Sequence, residues 1–445
     1  MKQKRSFLRS VCALAIPVAL QSMLQASFSV VDQVMIGQLG KANVAGVGLA
    51  GKFTSIYSVM VSAIAAVAGI MISQYLGQRN SREVKRSFFV NLFFSLGLAG
   101  LFSLLCLLLP EQIMELYTKD ARIQTAAAEY LVIIAGTFLP IAGASLLSTQ
   151  LRCLEKASLP LYAGIAAAVL NTGLNYILIF GKLGFAPMGA RGAAIATLIS
   201  QLANFLVILL LYLLQQRRNT ASVVYPKERF NWKQYGKMLL PILVCEFLWS
   251  LGENVYAAIY GHLGTDACAA MTLINPVQSL TIGALCGLSQ AAGVIVGKRL
   301  GNEAYEDAYD AGKKLMYYGL IGSAIFSVII LCIRPWYVGL YQVEPIVKAL
   351  TKQILVAYAL IAPVKVLNMI LGGGVVRSGG RTQYIMFIDI IGTWGVGVPL
   401  GLLSAFVFGL SIPYVYFILS LEECVRFAIT LAVFRKRHWM QKLDS

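Results

Sequence analysis

Two stretches of this chain, 17–40 and 241–264, follow the same pattern at a spacing of 224 residues. Each is an apolar run of helix length that begins with proline and ends in Leu-Gly. The register then continues without a gap as far as Gly77 in the first copy and Gly301 in the second. The sequence therefore carries an internal duplication, and its fold has to be built from two similar halves.

The composition indicates an integral membrane protein. Hydrophobic residues make up 58% of the chain and charged residues only 13%, whereas soluble proteins contain about 25% charged residues. A bilayer core about 30 Å thick needs about 20 apolar residues per helix. On this basis we predict an all-α fold with twelve transmembrane helices, at 10–37, 43–76, 88–109, 122–151, 161–181, 189–214, 237–260, 267–297, 315–333, 346–376, 383–405 and 412–434.

Lysine and arginine residues indicate the orientation of these helices, because cytoplasmic loops are enriched in them. Of the 37 basic residues, 26 fall on the side of the N-terminus and 8 on the opposite side. We therefore predict that both termini are cytoplasmic and that the first apolar run is a retained span and not a cleaved signal peptide.

Each half contains six helices, an even number, so both halves begin on the same side of the membrane. The halves are therefore parallel repeats, related by an axis along the membrane normal. We expect an N-lobe at 1–214, a cytoplasmic linker at 215–236, and a C-lobe with a short cytoplasmic tail at 237–445.

Several classes of function are disfavoured by the same composition. The net charge of +17 does not indicate nucleic-acid binding, because the basic residues are scattered in short loops between apolar spans. The eight cysteines lie singly, so we expect neither a disulfide framework nor a zinc site. His262 and His438 are the only histidines, and we predict no enzyme activity because no catalytic constellation is apparent. The glycines at 372–374 are not followed by the residues of a phosphate loop, so transport would be secondary.

Asp32 is a carboxylate inside the first predicted span. A charged side chain at that depth costs roughly 2.5–3.5 kcal/mol on insertion scales, so it is by default a functional candidate. Lys52 lies at a similar depth on the second span, and a salt bridge between the two is the alternative to a role in cation coupling. On the fifth span Asn171 and Asn175 are one helical turn apart, and their amides can bind a cation or hydrogen-bond a neighbouring helix.

Charged residues also lie in the last three spans. Glu422 and Arg426 have the i, i+4 spacing of an intrahelical ion pair, which we interpret as structural. Asp389 could meet Lys365 or face water, and its role stays open.

The seventh span carries two acids, Glu246 and Glu253, seven residues apart and hence on one helix face. The apolar part of this span contains no lysine or arginine. We therefore interpret both acids as functional, and Na⁺ binding at this span as a rival to coupling at Asp32.

Together these segments resemble the multidrug and toxic compound extrusion (MATE) family of bacterial transporters. The motifs that carry the resemblance are VDQVMIGQLG in span 1, NTGLNYILIFG in span 5, GARGAAIATLIS in span 6, LWSLG with YAAIYGHLG in span 7, and VVRSGGRT closing span 10. The resemblance implies two six-helix lobes that face a central cavity. It also implies a monomer in the bacterial plasma membrane that exports amphipathic organic cations in exchange for H⁺ or Na⁺, with no cofactor besides the coupling ion.

The resemblance extends to individual positions. Asp32 matches the first-helix acid of cation coupling in this family, Asn171 its fifth-helix asparagine, and Thr197 its sixth-helix threonine. Glu246 sits where many relatives carry an acid in the seventh helix. If Na⁺ is the coupling ion, the resemblance implies a site at Asp32 or at Glu246.

Two departures from the family pattern matter. Asn175 stands where relatives with an N-lobe cation site usually have Asp, which leaves the choice between H⁺ and Na⁺ open. Arg381 replaces the acid of the common RxGGDT motif, which we expect to change only a cytoplasmic loop. A lipid or lipid-linked oligosaccharide flippase of the same superfamily is the alternative function. It would need basic residues in its cavity, and only Lys52 and Lys365 are available for that.

Overall fold

The computed structural model describes residues 2–217 and 230–444, and this part of the chain is helical without any β-strand. The first half forms eight helices: α1 Lys2–Gly37, α2 Lys41–Gly77, α3 Ser81–Leu108, α4 Pro110–Glu115, α5 Ala121–Ile134, α6 Phe138–Cys153, α7 Ser158–Phe180 and α8 Gly189–Arg217. One turn of 3₁₀-helix, Ala135–Thr137, joins α5 and α6 into a single span. Residues 218–229, most of the predicted linker, lie outside the described residues.

The second half forms a further eight helices: α9 Trp232–His262, α10 Thr265–Gly301, α11 Tyr305–Gly339, α12 Pro345–Asn368, α13 Gln383–Asp389, α14 Val398–Leu402, α15 Ile412–Ser420 and α16 Glu422–Lys436. Three wider π-helical segments, Met369–Val376, Ile390–Gly397 and Leu403–Val407, continue α12, α13 and α14. A 3₁₀ turn, Arg377–Gly379, ends the first of these. π-Helical geometry is rare in proteins, and where it occurs it is frequently found at functional sites.

Eleven helices within the described residues are long and apolar enough to cross a membrane, which agrees with the predicted all-α membrane fold. The twelfth predicted span, 412–434, is made of two helices of 9 and 15 residues that meet at Leu421. The largest boundary error is at the ninth span, which we predicted from 315 but which begins at Tyr305. The first turns of this helix contain charged residues, so a prediction based on hydropathy places its start too late.

The described chain forms two compact units, which we treat separately. The N-terminal unit consists of Leu20–Ile72 and Ser81–Glu228. The C-terminal unit consists of Met1–Ala19, Ser73–Asn80 and Arg229–Ser445. The helices α1 and α2 therefore each contribute to both units, whereas the lobe boundaries expected from the sequence, at 214 and 237, stay a prediction.

The N-terminal unit is organised around an aromatic core. The Tyr57 hydroxyl donates to the carbonyl of Phe138 over 2.6 Å, and the two ring centroids are 4.4 Å apart. Phe102 packs on both rings, with centroid distances of 5.4 Å and 6.2 Å. Helices in lipid associate through such packing and through hydrogen bonds between them. This core fixes α2, α3 and the start of α6 next to α8 and α7, which carry the polar residues described below.

Glycine sets the helix contacts of the C-terminal unit. A side chain at Gly287 of α10 would collide with the carbonyl of Ala15, so glycine lets the first half of α1 approach the α10 backbone. A side chain at Gly374 would lie 2.6 Å from the carbonyl of Ser289. The hydroxyl of Ser289 donates to the carbonyl of Met369 over 2.6 Å, which joins α10 to the first π-helical segment. These contacts hold the helix end that presents Arg377.

Candidate functional site

Asp32 is bound by an amide of α7 inside the N-terminal unit. Asn175 Nδ2 donates to Asp32 Oδ1 over 2.7 Å. The Asn175 side chain is only 1% exposed, while Asp32 is half-buried. A buried neutral donor therefore holds one oxygen of a carboxyl group that is still partly accessible.

Asn171, one turn before Asn175, also faces Asp32. In one orientation of its amide, the oxygen accepts from Asn175 Nδ2 over 3.2 Å and the nitrogen donates to Ser200 Oγ over 3.3 Å. If the amide is turned over, its nitrogen lies 3.0 and 3.1 Å from the two carboxyl oxygens of Asp32, and its oxygen accepts from Ser200. The turned amide suits an ionised Asp32, because two acceptors would otherwise face each other, whereas the amide in its first orientation can accept a hydrogen bond from a protonated Asp32.

Thr197 does not direct its hydroxyl at Asp32. It donates instead to the carbonyl of Ala193 in its own helix, over 2.9 Å. Ser200, one turn further along α8, is 3% exposed and is the α8 side chain that contacts Asn171. The structure therefore brings Asp32, Asn171 and Asn175 together and adds Ser200. Its position three residues after Thr197 on the same helix is the signal that could have identified it.

Two other charged residues of this unit, Lys52 and Glu129, have other surroundings. Lys52 is exposed, and among the described residues no ion pair joins it to Asp32, so the alternative of a salt bridge between them was wrong. Glu129 pairs with Arg191 at the end of α8, with Nε to Oε2 at 2.9 Å and a second bond at 2.5 Å. This pair is exposed, and Asp32 is left with neutral partners.

The C-terminal unit has a different arrangement, in which acids lie against cations. Glu246 Oε1 of α9 is 3.8 Å from an Arg377 nitrogen in the 3₁₀ turn after α12. The sequence places no basic residue inside α9 next to Glu246, but the fold supplies one from another helix. We had counted Arg377 only among the basic residues that set the orientation of the chain.

Asp389 and Arg426 form the central ion pair of this unit. Asp389 Oδ1 lies 2.9 Å from Arg426, whose side chain is 10% exposed. The Cys245 thiol donates to the other oxygen, Oδ2, over 2.5 Å. Arg426 also donates to Thr393 Oγ1 over 3.1 Å. The role of Asp389 was open in the sequence, and the structure pairs its carboxyl with Arg426 of α16, which was not among the alternatives considered.

Glu423 also belongs to the group of ion pairs around Arg426. Its Oε1 lies 3.8 Å from Arg426 and 4.0 Å from Lys365 Nζ, and Asn368 donates to its Oε2 over 2.8 Å. Glu422 instead accepts from the Tyr256 hydroxyl over 2.7 Å. The predicted i, i+4 ion pair of Glu422 with Arg426 was wrong, since Arg426 pairs with Asp389 and Glu423.

A polar cavity of about 370 Å³ opens next to these groups, inside the C-terminal unit. Glu253, the second acid of α9, lines it together with Lys365, Glu422 and Glu423. Three tyrosines complete much of the wall: Tyr256, Tyr260 and Tyr416. The two acids of α9 therefore have different surroundings: Glu246 lies beside Arg377, and Glu253 lines the cavity.

In the part of the chain that the structure describes, three or more His, Cys, Asp or Glu side chains do not come together as a metal site. The acids of the C-terminal unit are close in space, but Arg377, Arg426 and Lys365 lie between or beside them. The arrangement can bind an organic cation at Glu253, which is exposed and lines the cavity.

Comparisons with known proteins agree with the fold. The MatE family model matches residues 17–177 and 241–403, and the two matches begin at the same two prolines as the sequence repeat. An uncharacterized transporter of Bacillus subtilis, YisQ, is 22% identical over 440 residues, covering 97% of this chain and 95% of the relative. A probable multidrug resistance protein of Thermotoga maritima, NorM, is 23% identical over 445 residues, covering 98% and 93%.

A solved structure is similar as well. The crystal structure of a MATE protein in complex with MaL6 has a TM-score of 0.88 and 18% identity, and the match covers 96% of this chain and 95% of that one. At this identity the likeness concerns the fold.

Proposed function

The chain belongs to the MatE family of multidrug and toxic compound extrusion transporters, and from that premise we propose that it is a secondary active antiporter. It exports amphipathic, cationic small molecules in exchange for H⁺ by alternating access. The observation that carries this proposal is the contact of the Asp32 carboxyl with two asparagine amides. Such a site can hold or release one proton while the Asp32 carboxyl stays hydrogen-bonded to both amides.

The choice of H⁺ rests on which atoms face Asp32. Asn175 offers its NH₂ group to the carboxyl, so the donor end of its amide is the end that contacts Asp32. Asn171 can present either end of its amide, and the two orientations serve the ionised and the protonated carboxyl. Proton exchange therefore needs only a rotation of one amide, whereas Na⁺ would need further oxygen atoms at the same point.

The C-terminal unit is less suited to Na⁺ for a different reason. Glu246 lies beside Arg377, and Glu423 lies beside Arg426 and Lys365. A metal ion would have to compete with cationic side chains that are already part of the fold. This argument weakens the rival reading of the sequence, in which Glu246 and Glu253 bind Na⁺.

The cavity of the C-terminal unit supports a cationic substrate. Three carboxylates line it against one ammonium group, that of Lys365. The tyrosine rings of its wall add faces that attract cations. We propose that the protein does this work as a monomer in the bacterial plasma membrane with both termini cytoplasmic, and that it requires the coupling ion and no other cofactor.

The proposal is tested by flux into proteoliposomes with one gradient at a time. The purified protein is reconstituted, and uptake of tetraphenylphosphonium, a permanently charged aromatic cation, is measured under a pH gradient or a Na⁺ gradient, each at zero membrane potential. We expect the pH gradient to drive uptake and the Na⁺ gradient to leave it at the level of protein-free liposomes. Transport driven by Na⁺ alone would contradict proton coupling, and no response to either gradient would contradict antiport.

A further inference from the structure

A second cavity lies in the C-terminal unit, between the first half of α1 and the helices α10 and α11. It is a groove of about 340 Å³. Its lining is apolar and mostly small: it includes Val11, Ala15 and Ala19 of α1, Ala284 and Leu288 of α10, and Ile321 of α11. The small alanine side chains leave the groove open between α1 and α10. The two helices are already close together there, because glycine at position 287 lets their backbones approach. The groove follows α1 for about three turns, from Leu8 to Ala19.

Cationic groups gather at the Leu8 end of this groove. The preceding residue, Phe7, stacks near Tyr318 of α11, with ring centroids 6.5 Å apart, and Tyr318 is part of the lining. The guanidinium carbon of Arg299 lies 5.0 Å from the centre of the Phe7 ring, and Lys314 Nζ lies 5.5 Å from it. The groove therefore runs from an apolar floor to an end with two positive charges.

We propose that this groove binds an anionic phospholipid, with one acyl chain along α1 and the phosphate of the headgroup between Arg299 and Lys314. Basic pockets between transmembrane helices bind phospholipid headgroups by charge, and the bilayer supplies the ligand at high concentration. One N–H of Arg299 donates to the carbonyl of Asp307 over 3.1 Å. A guanidinium group has five N–H donors, so others can reach a phosphate. The inference is independent of the transported substrate and of the coupling ion.

The position of the site gives it a consequence for the transporter. The first half of α1 lies in the C-terminal unit, and the second half, which carries Asp32, lies in the N-terminal unit. A bound lipid fills the space beside the first half and holds it against α10 and α11. The lipid is therefore a further element that fixes α1, the helix that the proposed proton site depends on.

Native mass spectrometry of the delipidated protein in detergent measures this binding. Phosphatidylglycerol, phosphatidylcholine and inorganic phosphate are titrated separately against wild type, Lys314→Gln and Lys313→Gln. Lys313 is the matched control, since it is adjacent and has the same charge but lies 4.4 Å from the Tyr309 ring and 3.6 Å from Asp310. We expect one site that prefers phosphatidylglycerol, a loss of roughly fivefold in its affinity in Lys314→Gln, and no change in Lys313→Gln.

The acyl chain is tested by filling the groove. Ala284→Leu should weaken binding of both lipids while leaving the preference for the anionic one in place. Equal binding of the two lipids by wild type, or equal losses in Lys313→Gln and Lys314→Gln, would overturn the proposal. Inorganic phosphate that displaces phosphatidylglycerol from the site would assign the two cations to a free anion and would also overturn it. If Ala284→Leu does not fold, the two lysine variants decide.

Discussion

The two units handle buried carboxylates in opposite ways. In the N-terminal unit, Asp32 stands alone among neutral groups, with Asn175 at 2.7 Å as its main partner. In the C-terminal unit, the carboxylates of Asp389 and Glu423 share Arg426, at 2.9 and 3.8 Å. A carboxyl with neutral partners can change its charge without leaving a cation unpaired, whereas one inside an ion-pair series cannot. The N-terminal unit is thus the better place for the coupling step, and the C-terminal unit for a fixed electrostatic framework.

The duplicated sequence sharpens this contrast. The 224-residue register places Tyr256 at the position of Asp32, on the corresponding helix of the second half. Tyr256 donates to Glu422, so there the first helix of the repeat supplies the neutral donor and the last helix the acid. In the N-terminal unit the first helix supplies the acid. Both halves therefore place a hydrogen-bonding side chain at this position, an acceptor in the first half and a donor in the second, but its partner lies on the fifth span of the first half and on the last span of the second.

The largest effect is expected for Asp32→Asn. This variant keeps the shape of the side chain and removes its change of charge, so export driven by a pH gradient should fall to the level of protein-free liposomes. Binding of tetraphenylphosphonium in detergent should persist, because the proposed cavity for the cation lies in the C-terminal unit. Flux and binding measured on the same preparation test both statements.

Glu129→Gln is the matched control for this experiment. It also removes one acid of the N-terminal unit, but one that is exposed and paired with Arg191. It should transport at the wild-type rate. If Asp32→Asn transports as fast as Glu129→Gln, the coupling acid lies elsewhere, and the contrast between the two units is wrong.

The next effect concerns stability and tests the C-terminal framework. Arg426→Gln leaves Asp389 and Glu423 without their shared cation in a place where Arg426 is only 9% exposed. Removing one partner of a buried ion pair costs about 3–5 kcal/mol, because the remaining charge stays desolvated. We therefore expect a clear drop in the thermal unfolding midpoint of Arg426→Gln in detergent, followed by a fluorescent thiol probe.

Arg191→Gln serves as its comparison, since the side chain of Arg191 is 61% exposed in its pair with Glu129. Solvent screens such pairs, so its midpoint should stay close to that of wild type. Equal midpoints for the two arginine variants would mean that the ion pairs of the C-terminal unit do not stabilise it.

Much of the fold could be predicted because its signals are local. Apolar runs of membrane length, the repeat and the helix-breaking residues are all visible along the chain, and the predicted spans lie on the observed helices. The twelfth span was harder to define, because its break at Leu421 is a packing feature that hydropathy does not record. The side chains around Asp32 were predicted in part for the same reason, since Asn171 and Asn175 are one turn apart on one helix.

The charge partners of the C-terminal unit could not be predicted in this way. Arg426 meets Asp389 because α13 packs against α16, a contact between helices that spacing along the sequence does not reveal. The same holds for Arg377, which reaches Glu246 of α9 from the 3₁₀ turn at the end of a different helix. Sequence spacing identifies partners within a helix, and here the decisive partners lie on different helices.

The smallest expected effect is also the most specific one. Asn175→Asp places a second carboxylate where an amide now contacts Asp32 at 2.7 Å, and so converts a site with one acid into a site with two. Two carboxylates repel each other when both are ionised, and a cation between them relieves that repulsion. We expect this variant to gain slow export under a Na⁺ gradient alone, at a fraction of the rate that the pH gradient drives in wild type.

Gln33→Glu is the control, because it adds an acid next to Asp32 in the sequence but on an exposed face of α1. A response to Na⁺ in both variants would indicate a general effect of negative charge, and a response in neither would mean that the amide of Asn175 does not decide the coupling ion.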